Sequence, residues 1–304
     1  MFVVYICSVN WQPVHINQMH SGAVYALVLY SQGGILFSGG ADGVVAAWNQ
    51  DLEQQTGMTI RTSAPIYSLC FVEAHRTLFI GLNDGSLHGV HIDQRSEITA
   101  VREHTSAIYT MVYDEINDWL WSANGEGILS IRQARDAAKV RNIPFSTEKI
   151  RQLALSPDGR MLAVAGERVW IIETAFANPQ HIYSGHEGGA TAVSWHPTKK
   201  ALISGGKDGH IRVWSTASGE ELLAFPAHRF AIYRLAFDTT NRILISTSRD
   251  GTIKMWDQET LDHMFTIDKS ARTHTHSVNA MIIDEQGLYT AGDDRKIIRW
   301  QDTK

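Results

Sequence analysis

The chain has 304 residues, of which 44% are hydrophobic and 19% charged, and its net charge is −5. This composition is ordinary for a globular protein, and the length allows a sizeable core. The 27 basic residues are scattered along the chain, so no nucleic-acid partner is indicated. No apolar run reaches about 18 residues, so we expect neither a membrane span nor a membrane partner.

The N-terminal residues 1–12 are the least defined segment. An extra strand and a loosely packed extension are both compatible with their apolar character. A signal sequence is disfavoured, because residues 1–7 carry no basic side chain and their apolar stretch is too short. The two cysteines, Cys7 and Cys70, are expected to be buried free thiols rather than a disulfide, which predicts a reducing, cytoplasmic location.

Seven segments repeat one pattern of short runs in which apolar and polar residues alternate. Alternation with a period of two, broken by turn residues, predicts antiparallel strands, and four runs complete one small sheet. The first apolar position of the inner strand recurs every 40 to 46 residues, at Val24, Ile66, Ile108, Ile150, Ala190, Ile232 and Val278. One such sheet cannot bury both faces alone, so the even repeat predicts a single closed domain over residues 1–304.

Four of the repeats carry a histidine, a hydroxyl residue, an aspartate and a tryptophan at fixed spacing. From the histidine, 18 residues (16 in the last repeat) lead to the hydroxyl, four more to the aspartate and six more to the tryptophan. These structural quartets are His20, Ser38, Asp42 and Trp48; His186, Ser204, Asp208 and Trp214; His228, Ser246, Asp250 and Trp256; and His274, Thr290, Asp294 and Trp300. Each member is a polar group that can be buried only beside a complementary partner, so we assign the quartets a structural role.

This pattern, with the Trp256-Asp257 dipeptide, resembles the WD-repeat β-propeller family over roughly residues 14–300. The resemblance implies an all-β, seven-bladed β-propeller of four-stranded antiparallel blades, in which each quartet forms a hydrogen-bonded line across its blade. The inner three strands of the blades are then expected near residues 20–48, 62–90, 104–132, 146–173, 186–214, 228–256 and 274–300.

Closure of the ring is predicted from the two ends of the repeat pattern. The seventh repeat ends at Trp300 without an outer strand, whereas residues 13–17 form an outer strand without a blade of their own. Pairing these residues with the seventh blade closes the ring and leaves no long exposed edge.

Repeats two to four lack the full quartet. Their substitutes are Thr62, Ile80, Asp84 and Val90; His104, Ser122, Glu126 and Arg132; and Ser146 with Ile172, beside a turn shortened at residues 166–168. Neutral drift and a partner-specific surface are the two explanations. Because these blades do not depend on a complete line, Arg132→Ala is expected to cost under about 1 kcal/mol, against about 3–5 kcal/mol for Trp214→Ala.

The sequence contains no Gly-rich phosphate loop, no GxSxG elbow and no HExxH motif. His274 and His276 could suggest a metal pair, but His274 already holds a quartet position. We therefore expect no enzymatic activity, no metal and no cofactor. The alternative is a propeller enzyme or small-ligand-binding protein that uses the mouth of the central channel.

A binding surface is predicted from the residue after the first apolar position of each inner strand. These residues are Tyr25, Tyr67, Tyr109, Arg151, Thr191, Tyr233 and Asn279. By alternation they face the channel where the chain enters the inner strand, on what we call the top face. The family resemblance implies that such positions contact peptides, and tyrosine suits recognition through its large area and polar tip. The alternative is that the tyrosines plug the channel and hydrogen-bond one another.

Two rim cations, Lys207 and Arg249, precede the turn aspartates and complete the predicted contact surface. A partner with acidic and apolar groups fits these charges and the tyrosines, although a solvated rim accounts for the charges alone. The sequence thus predicts a non-catalytic scaffold or adaptor, monomeric by itself, that binds a protein or peptide.

Overall fold

The structure, a computed structural model, describes residues 11–270 and 272–303. These residues form seven four-stranded antiparallel sheets, arranged as the blades of a propeller. The all-β, seven-bladed fold expected from the sequence is therefore confirmed. A single turn of 3-10 helix, Glu73–His75, joins two strands of blade 2.

Each of the first four blades runs in chain order from an inner strand at the channel to an outer strand at the rim. Blades 1 and 2 contain β2 (Val24–Tyr30), β3 (Ile35–Gly40), β4 (Val44–Asn49), β5 (Gln55–Arg61), β6 (Ile66–Val72), β7 (Thr77–Leu82), β8 (Ser86–His91) and β9 (Ser96–Arg102). Blades 3 and 4 contain β10 (Ile108–Asp114), β11 (Trp119–Asn124), β12 (Ile128–Gln133), β13 (Lys139–Pro144), β14 (Gln152–Leu155), β15 (Met161–Ala165), β16 (Val169–Glu173) and β17 (Pro179–Tyr183).

The last three blades follow the same plan, except that the outer strand of blade 7 comes from the beginning of the chain. They contain β18 (Ala190–Trp195), β19 (Ala201–Gly206), β20 (His210–Ser215), β21 (Glu221–Pro226), β22 (Ile232–Asp238), β23 (Ile243–Ser248), β24 (Ile253–Asp257), β25 (His263–Ile267), β26 (Val278–Asp284), β27 (Gly287–Gly292), β28 (Ile297–Asp302) and β1 (Trp11–Asn17). None of the described residues forms a helix with the length and hydropathy needed to cross a membrane.

The strand β1 closes the ring by pairing antiparallel with β28, as expected. It begins at Trp11, two residues before the predicted start, so Trp11 and Gln12 belong to the strand and not to an extension. The reason is burial, since the Trp11 side chain is 3% exposed and packs in the hydrophobic cluster between blades 6 and 7. Residues 1–10, including Cys7, lie outside the described part of the chain.

The core is divided into seven hydrophobic clusters, one at each interface between adjacent blades. Cys70 is a buried free cysteine in one of them, and burial raises the pKa of its thiol to about 12. Six inner strands begin at the residue predicted from the repeat. In blade 4 the strand begins at Gln152, because the Ile150 amide bonds to Asn124 of blade 3 instead of to its own sheet.

Candidate functional site

Each of the four quartets forms one hydrogen-bonded line inside its blade. In blade 5 the Trp214 indole donates to the Ser204 hydroxyl at 2.7 Å, and that hydroxyl lies 2.7 Å from Nε2 of His186. The second ring nitrogen, Nδ1, lies 3.1 Å from the Asp208 carboxylate. The quartets of blades 1, 6 and 7 make the same contacts at 2.7–3.1 Å. This geometry supports the structural role proposed for them, because each buried polar group has a partner.

The quartet aspartates also close the top turns of their blades. Asp208 accepts hydrogen bonds from the backbone amides of Glu187 and His210, each at 3.1 Å. Burial opposes ionisation, but the His210 amide and the nearby His186 ring hold the pKa of Asp208 below its usual range. The carboxylate is therefore ionised at neutral pH and ties the loop that enters the inner strand to the turn between the second and third strands.

Acidification is expected to destabilise the propeller in two steps. Burial lowers the pKa of His104, His186 and His228 from 6.5, so their contribution to stability is complete above that pH and is lost as the pH falls. Burial alone would raise the pKa of Asp208 and Asp294, but their hydrogen bonds outweigh burial and hold the pKa below 3.8. Protonation of these carboxylates therefore adds a second loss of stability at lower pH. Melting temperatures between about pH 7.5 and pH 2 measure both steps. His104→Gln should make the first loss of stability smaller, because it removes one of the three titrating histidines. A melting temperature that rises on acidification would contradict this account.

In blade 3 an ion pair replaces the quartet tryptophan. Arg132, at the tryptophan position and 8% exposed, donates from Nε at 2.9 Å to Glu103, whose side chain is 1% exposed. A second guanidinium nitrogen also bonds to Glu103, and a third bonds to the Ala137 carbonyl. This contact argues against the small cost expected for Arg132→Ala, because removal of Arg132 would leave a buried carboxylate without its partner.

Other members of blade 3 also change partners. His104 Nε2 lies 3.1 Å from the hydroxyl of Ser130, instead of the Ser122 hydroxyl that the quartet spacing predicts. The side chain of Glu126, at the aspartate position, bonds to the Thr105 hydroxyl. These polar side chains of blade 3 are thus paired in a different arrangement from that of the quartets.

A cavity of about 310 Å³, here called the mouth, opens where the channel meets the top face. Its lining residues are Tyr25, Tyr67, Tyr109, Arg151, Thr191, Tyr233, Arg234, Asn279 and Asp293. The seven residues that follow the first apolar position of each inner strand therefore converge on one site. Alternation explains this, since the preceding apolar residue is buried in a blade interface and the next side chain faces the channel.

Three of the four tyrosines of the mouth contact one another through their ring faces and edges. Tyr25 stacks on Tyr67 with ring centroids 5.0 Å apart, and Tyr109 meets Tyr67 edge-on at 5.5 Å. The Arg151 guanidinium lies 5.1 Å from the centre of the Tyr109 ring. In the described part of the chain no hydrogen bond joins the tyrosine hydroxyls of the mouth, so Tyr25, Tyr67 and Tyr109 are held by ring contacts and not by mutual hydrogen bonds.

The tyrosine hydroxyls of the mouth are neutral hydrogen-bond donors. Burial raises the pKa of Tyr25, Tyr67 and Tyr233 above the ordinary value of 10.0. These groups keep their protons at neutral pH and can donate to an acceptor on a ligand. All four tyrosines are partly exposed, so such a ligand has access to them.

Thr191 and Asn279, the two remaining members of the set of seven mouth residues, are held by hydrogen bonds. Thr191 is 7% exposed, and its hydroxyl donates to the carbonyl of Ile232 in the next blade. The Asn279 amide donates to the Val24 carbonyl at 3.1 Å and to the Asp293 carboxylate at 2.7 Å. These side chains mainly join neighbouring blades and shape the edge of the mouth.

The predicted rim cations, Lys207 and Arg249, lie outside the mouth, and both side chains are exposed. Lys207 lines a groove of about 450 Å³ between blades 4 and 5, which adjoins the mouth at Arg151 and includes the shortened turn at residues 166–167. The charge of Arg249 partly offsets the effect of burial on the pKa of Tyr233, which indicates that Arg249 lies near that tyrosine.

Arg234 is a mouth residue that sequence reasoning missed. Its side chain lines both the mouth and a cavity of about 210 Å³ deeper in the channel. Nη1 donates to the Tyr233 carbonyl at 2.8 Å, and burial lowers the pKa of the guanidinium to about 10. The same register in the other blades holds uncharged residues, namely Ala26, Ser68, Thr110, Gln152, Ala192 and Ala280. A lone cation at this register is the signal that could have found it.

Within the described residues, no group of three or more histidine, cysteine, aspartate or glutamate side chains is placed to hold a metal ion. His274 belongs to its quartet, whereas His276 is exposed and contacts the Thr275 hydroxyl at 3.0 Å. The two histidines therefore have separate partners.

Comparison with known families agrees with the fold. Residues 11–49, 177–215 and 219–257 match the family model described as WD domain, G-beta repeat. Together with the seven blades and the quartets, these matches confirm the resemblance found in the sequence. The chain folds as a seven-bladed β-propeller, and three of its segments match the WD-repeat family model.

Curated relatives match parts of the chain. Polyadenylation factor subunit 2 of Neurospora crassa is 30% identical over 148 residues, which are 46% of this chain and 21% of the relative. Target of rapamycin complex subunit LST8 of Saccharomyces cerevisiae is 29% identical over 102 residues, which are 33% of this chain and 34% of the relative. Transcription factor unc-37 of Caenorhabditis elegans is 21% identical over 216 residues, or 70% of this chain. The matches span 21% to 35% of the length of these three relatives.

Proposed function

We propose that this propeller is a non-catalytic scaffold or adaptor that binds a protein or peptide partner on its top face. The observation that carries the proposal is the mouth, where four tyrosines and two arginines line one cavity. Tyrosine and arginine are enriched among the residues that dominate binding energy in protein interfaces. Two relatives are named as subunits of a polyadenylation factor and of a target of rapamycin complex, which also favours assembly with other proteins.

The mouth is pre-organised for binding. Tyr67 is held between Tyr25 and Tyr109, and Arg151 rests on Tyr109, so these side chains lose little freedom when a partner binds. Three residues before Tyr233 of the mouth, Phe230 is 48% exposed on the loop that enters blade 6. An exposed aromatic ring next to a donor-rich cavity fits a partner that presents both apolar and hydrogen-bonding groups.

Single replacement of Tyr25, Tyr67, Tyr109 or Tyr233 by alanine is expected to weaken partner capture about thirtyfold. Loss of an aromatic anchor at the centre of an interface typically costs about 2 kcal/mol of binding free energy. Stability should change little, by under about 1 kcal/mol even for Tyr67, which makes two ring contacts. Thermal unfolding and quantitative affinity capture from a lysate of the source organism measure the two effects on the same proteins.

Phe176→Ala is the matched control for this experiment. Phe176 is 68% exposed on the loop between the third and outer strands of blade 4, at the face opposite the mouth. Its removal should leave both stability and capture unchanged. If all four tyrosine variants lose stability while each folded molecule still captures the partner, the tyrosines plug the channel and the proposal fails. A small molecule retained in the mouth of the purified protein would instead favour the ligand-binding alternative.

A further inference from the structure

We propose that the mouth is an anion site, in which Arg234 binds an oxyanion carried by the partner peptide. The oxyanion is the carboxylate of an acidic side chain or the phosphate of a phosphorylated one. This inference rests on the proposed top-face function and adds the chemistry of the group that enters the channel.

The polar side chains that are equivalent to Arg234 in other blades, Ser68, Thr110 and Gln152, join neighbouring blades. The Ser68 hydroxyl donates to the carbonyl of Ile108 in the next blade at 2.8 Å. The Gln152 side-chain oxygen accepts from the Val193 amide at 3.1 Å, and Thr110 accepts a similar bond from the following blade. These side chains are therefore used in holding the ring together.

Arg234 differs because its guanidinium is not used in this way. Of its five N–H donors, one bonds to the carbonyl of Tyr233 on the same strand. No carboxylate in the described residues pairs with it, and Asp293 at the edge of the mouth is bonded by the Asn279 amide. A partly buried cation without a counter-ion is unfavourable, so an oxyanion that enters the mouth would gain a charge-assisted contact with this guanidinium.

The rest of the mouth favours the same sign of charge. Arg151 and Arg234 line it and Arg249 is close by, against the single lining carboxylate of Asp293. This local excess of positive charge occurs in a chain whose net charge is −5. The guanidinium fork and the protonated tyrosine hydroxyls supply several donors to one oxyanion.

A cationic ligand on the tyrosine faces is disfavoured by the same geometry. The Arg151 guanidinium already lies over the Tyr109 ring, 5.1 Å from its centre. A second cation would approach both this group and Arg234 in a partly buried site, where repulsion between like charges is strong.

The test uses the full chain and three capped peptides that differ in one central residue, which is glutamate, phosphoserine or glutamine. Titration followed by the side-chain Nε–H signal of Arg234 in nuclear magnetic resonance reports contact at the proposed atom. The glutamate or the phosphoserine peptide should bind at least about tenfold more tightly than the glutamine peptide. The first two peptides also distinguish a carboxylate from a phosphate. Equal binding of all three, or no shift with any of them, overturns the proposal.

Arg234→Met should abolish the preference for the anionic peptide, whereas Arg229→Met, which removes an exposed arginine near Phe230, should keep it. Arg234 is partly buried and pairs with no carboxylate in the described residues, so its removal leaves no other charge unpaired and the melting temperature of Arg234→Met should not fall. A fall in melting temperature with an unchanged peptide preference would assign Arg234 a structural role and overturn the proposal.

The tyrosine variants keep the two proposals distinguishable. If these variants lose partner capture while the three peptides bind alike, the anion site is wrong and the top-face function stands. If Arg234→Met abolishes the anion preference while every tyrosine variant retains capture, the anion site stands and the top-face function is wrong.

Discussion

Removal of residues 1–18 is expected to abolish soluble, folded protein. The deletion takes away β1, whose pairing with β28 extends from Trp11 opposite Asp302 to Asn17 opposite Ile297. The unpaired β28 then becomes an exposed edge that can pair with other chains. The hydrophobic cluster between blades 6 and 7 also loses the Trp11 side chain. Soluble yield and melting temperature of the truncated and full chains measure the effect.

Two variants separate the contributions to closure. Removal of residues 1–10 leaves β1 whole and serves as the reference for shortening the chain. Trp11→Ala keeps the backbone pairing but removes the buried indole, so its melting temperature should fall while the protein stays soluble. If the chain without residues 1–18 is as soluble and thermostable as the full chain, another contact closes the ring.

Arg132→Ala is expected to destabilise the protein by about 3–5 kcal/mol, as much as Trp214→Ala, which removes a quartet tryptophan. The truncation would strand the Glu103 carboxylate, whose side chain is 1% exposed. Lys139 lies 3.8 Å from Oε1 of Glu103 and is half exposed, so it does not replace the two guanidinium nitrogens of Arg132 that donate to Oε2. Denaturant unfolding of each variant gives the free energies of unfolding directly.

The double variant Glu103→Leu with Arg132→Met is the control for the ion pair. Replacing both charges with apolar side chains of similar volume leaves no buried charge, so it should recover most of the stability lost in Arg132→Ala. A cost below about 1 kcal/mol for Arg132→Ala would show that solvent reaches Glu103 and that the position is dispensable.

The blade count and the direction of closure could be predicted from the sequence because both follow from local regularities. Alternation with a period of two marks the strands, and a histidine, aspartate and tryptophan at fixed spacing mark equivalent points in successive blades. The channel-facing position of Tyr25 and its equivalents follows from the same alternation, because each succeeds a buried apolar residue such as Val24.

The features that were missed depend on contacts between distant parts of the chain. Glu103 and Arg132 are 29 residues apart, so their pairing appears only when β12 lies beside the loop that enters blade 3. Trp11 is buried because it reaches the cluster between blades 6 and 7, more than 200 residues away in sequence. Arg234 follows a residue that already had an assigned role, and its significance depends on how Ser68 and its equivalents are bonded to the next blade.

The claim that the top face carries the partner is tested most directly by site-specific photo-cross-linking. A photoreactive tyrosine analogue that keeps the aromatic ring and the hydroxyl is placed at Tyr67, inside the mouth, and in a second protein a photoreactive amino acid is placed at Ile182, which is 52% exposed on the outer strand β17. The account predicts a covalent complex with the captured partner from position 67 and none from position 182. Cross-linking from position 182 with none from position 67 would contradict it.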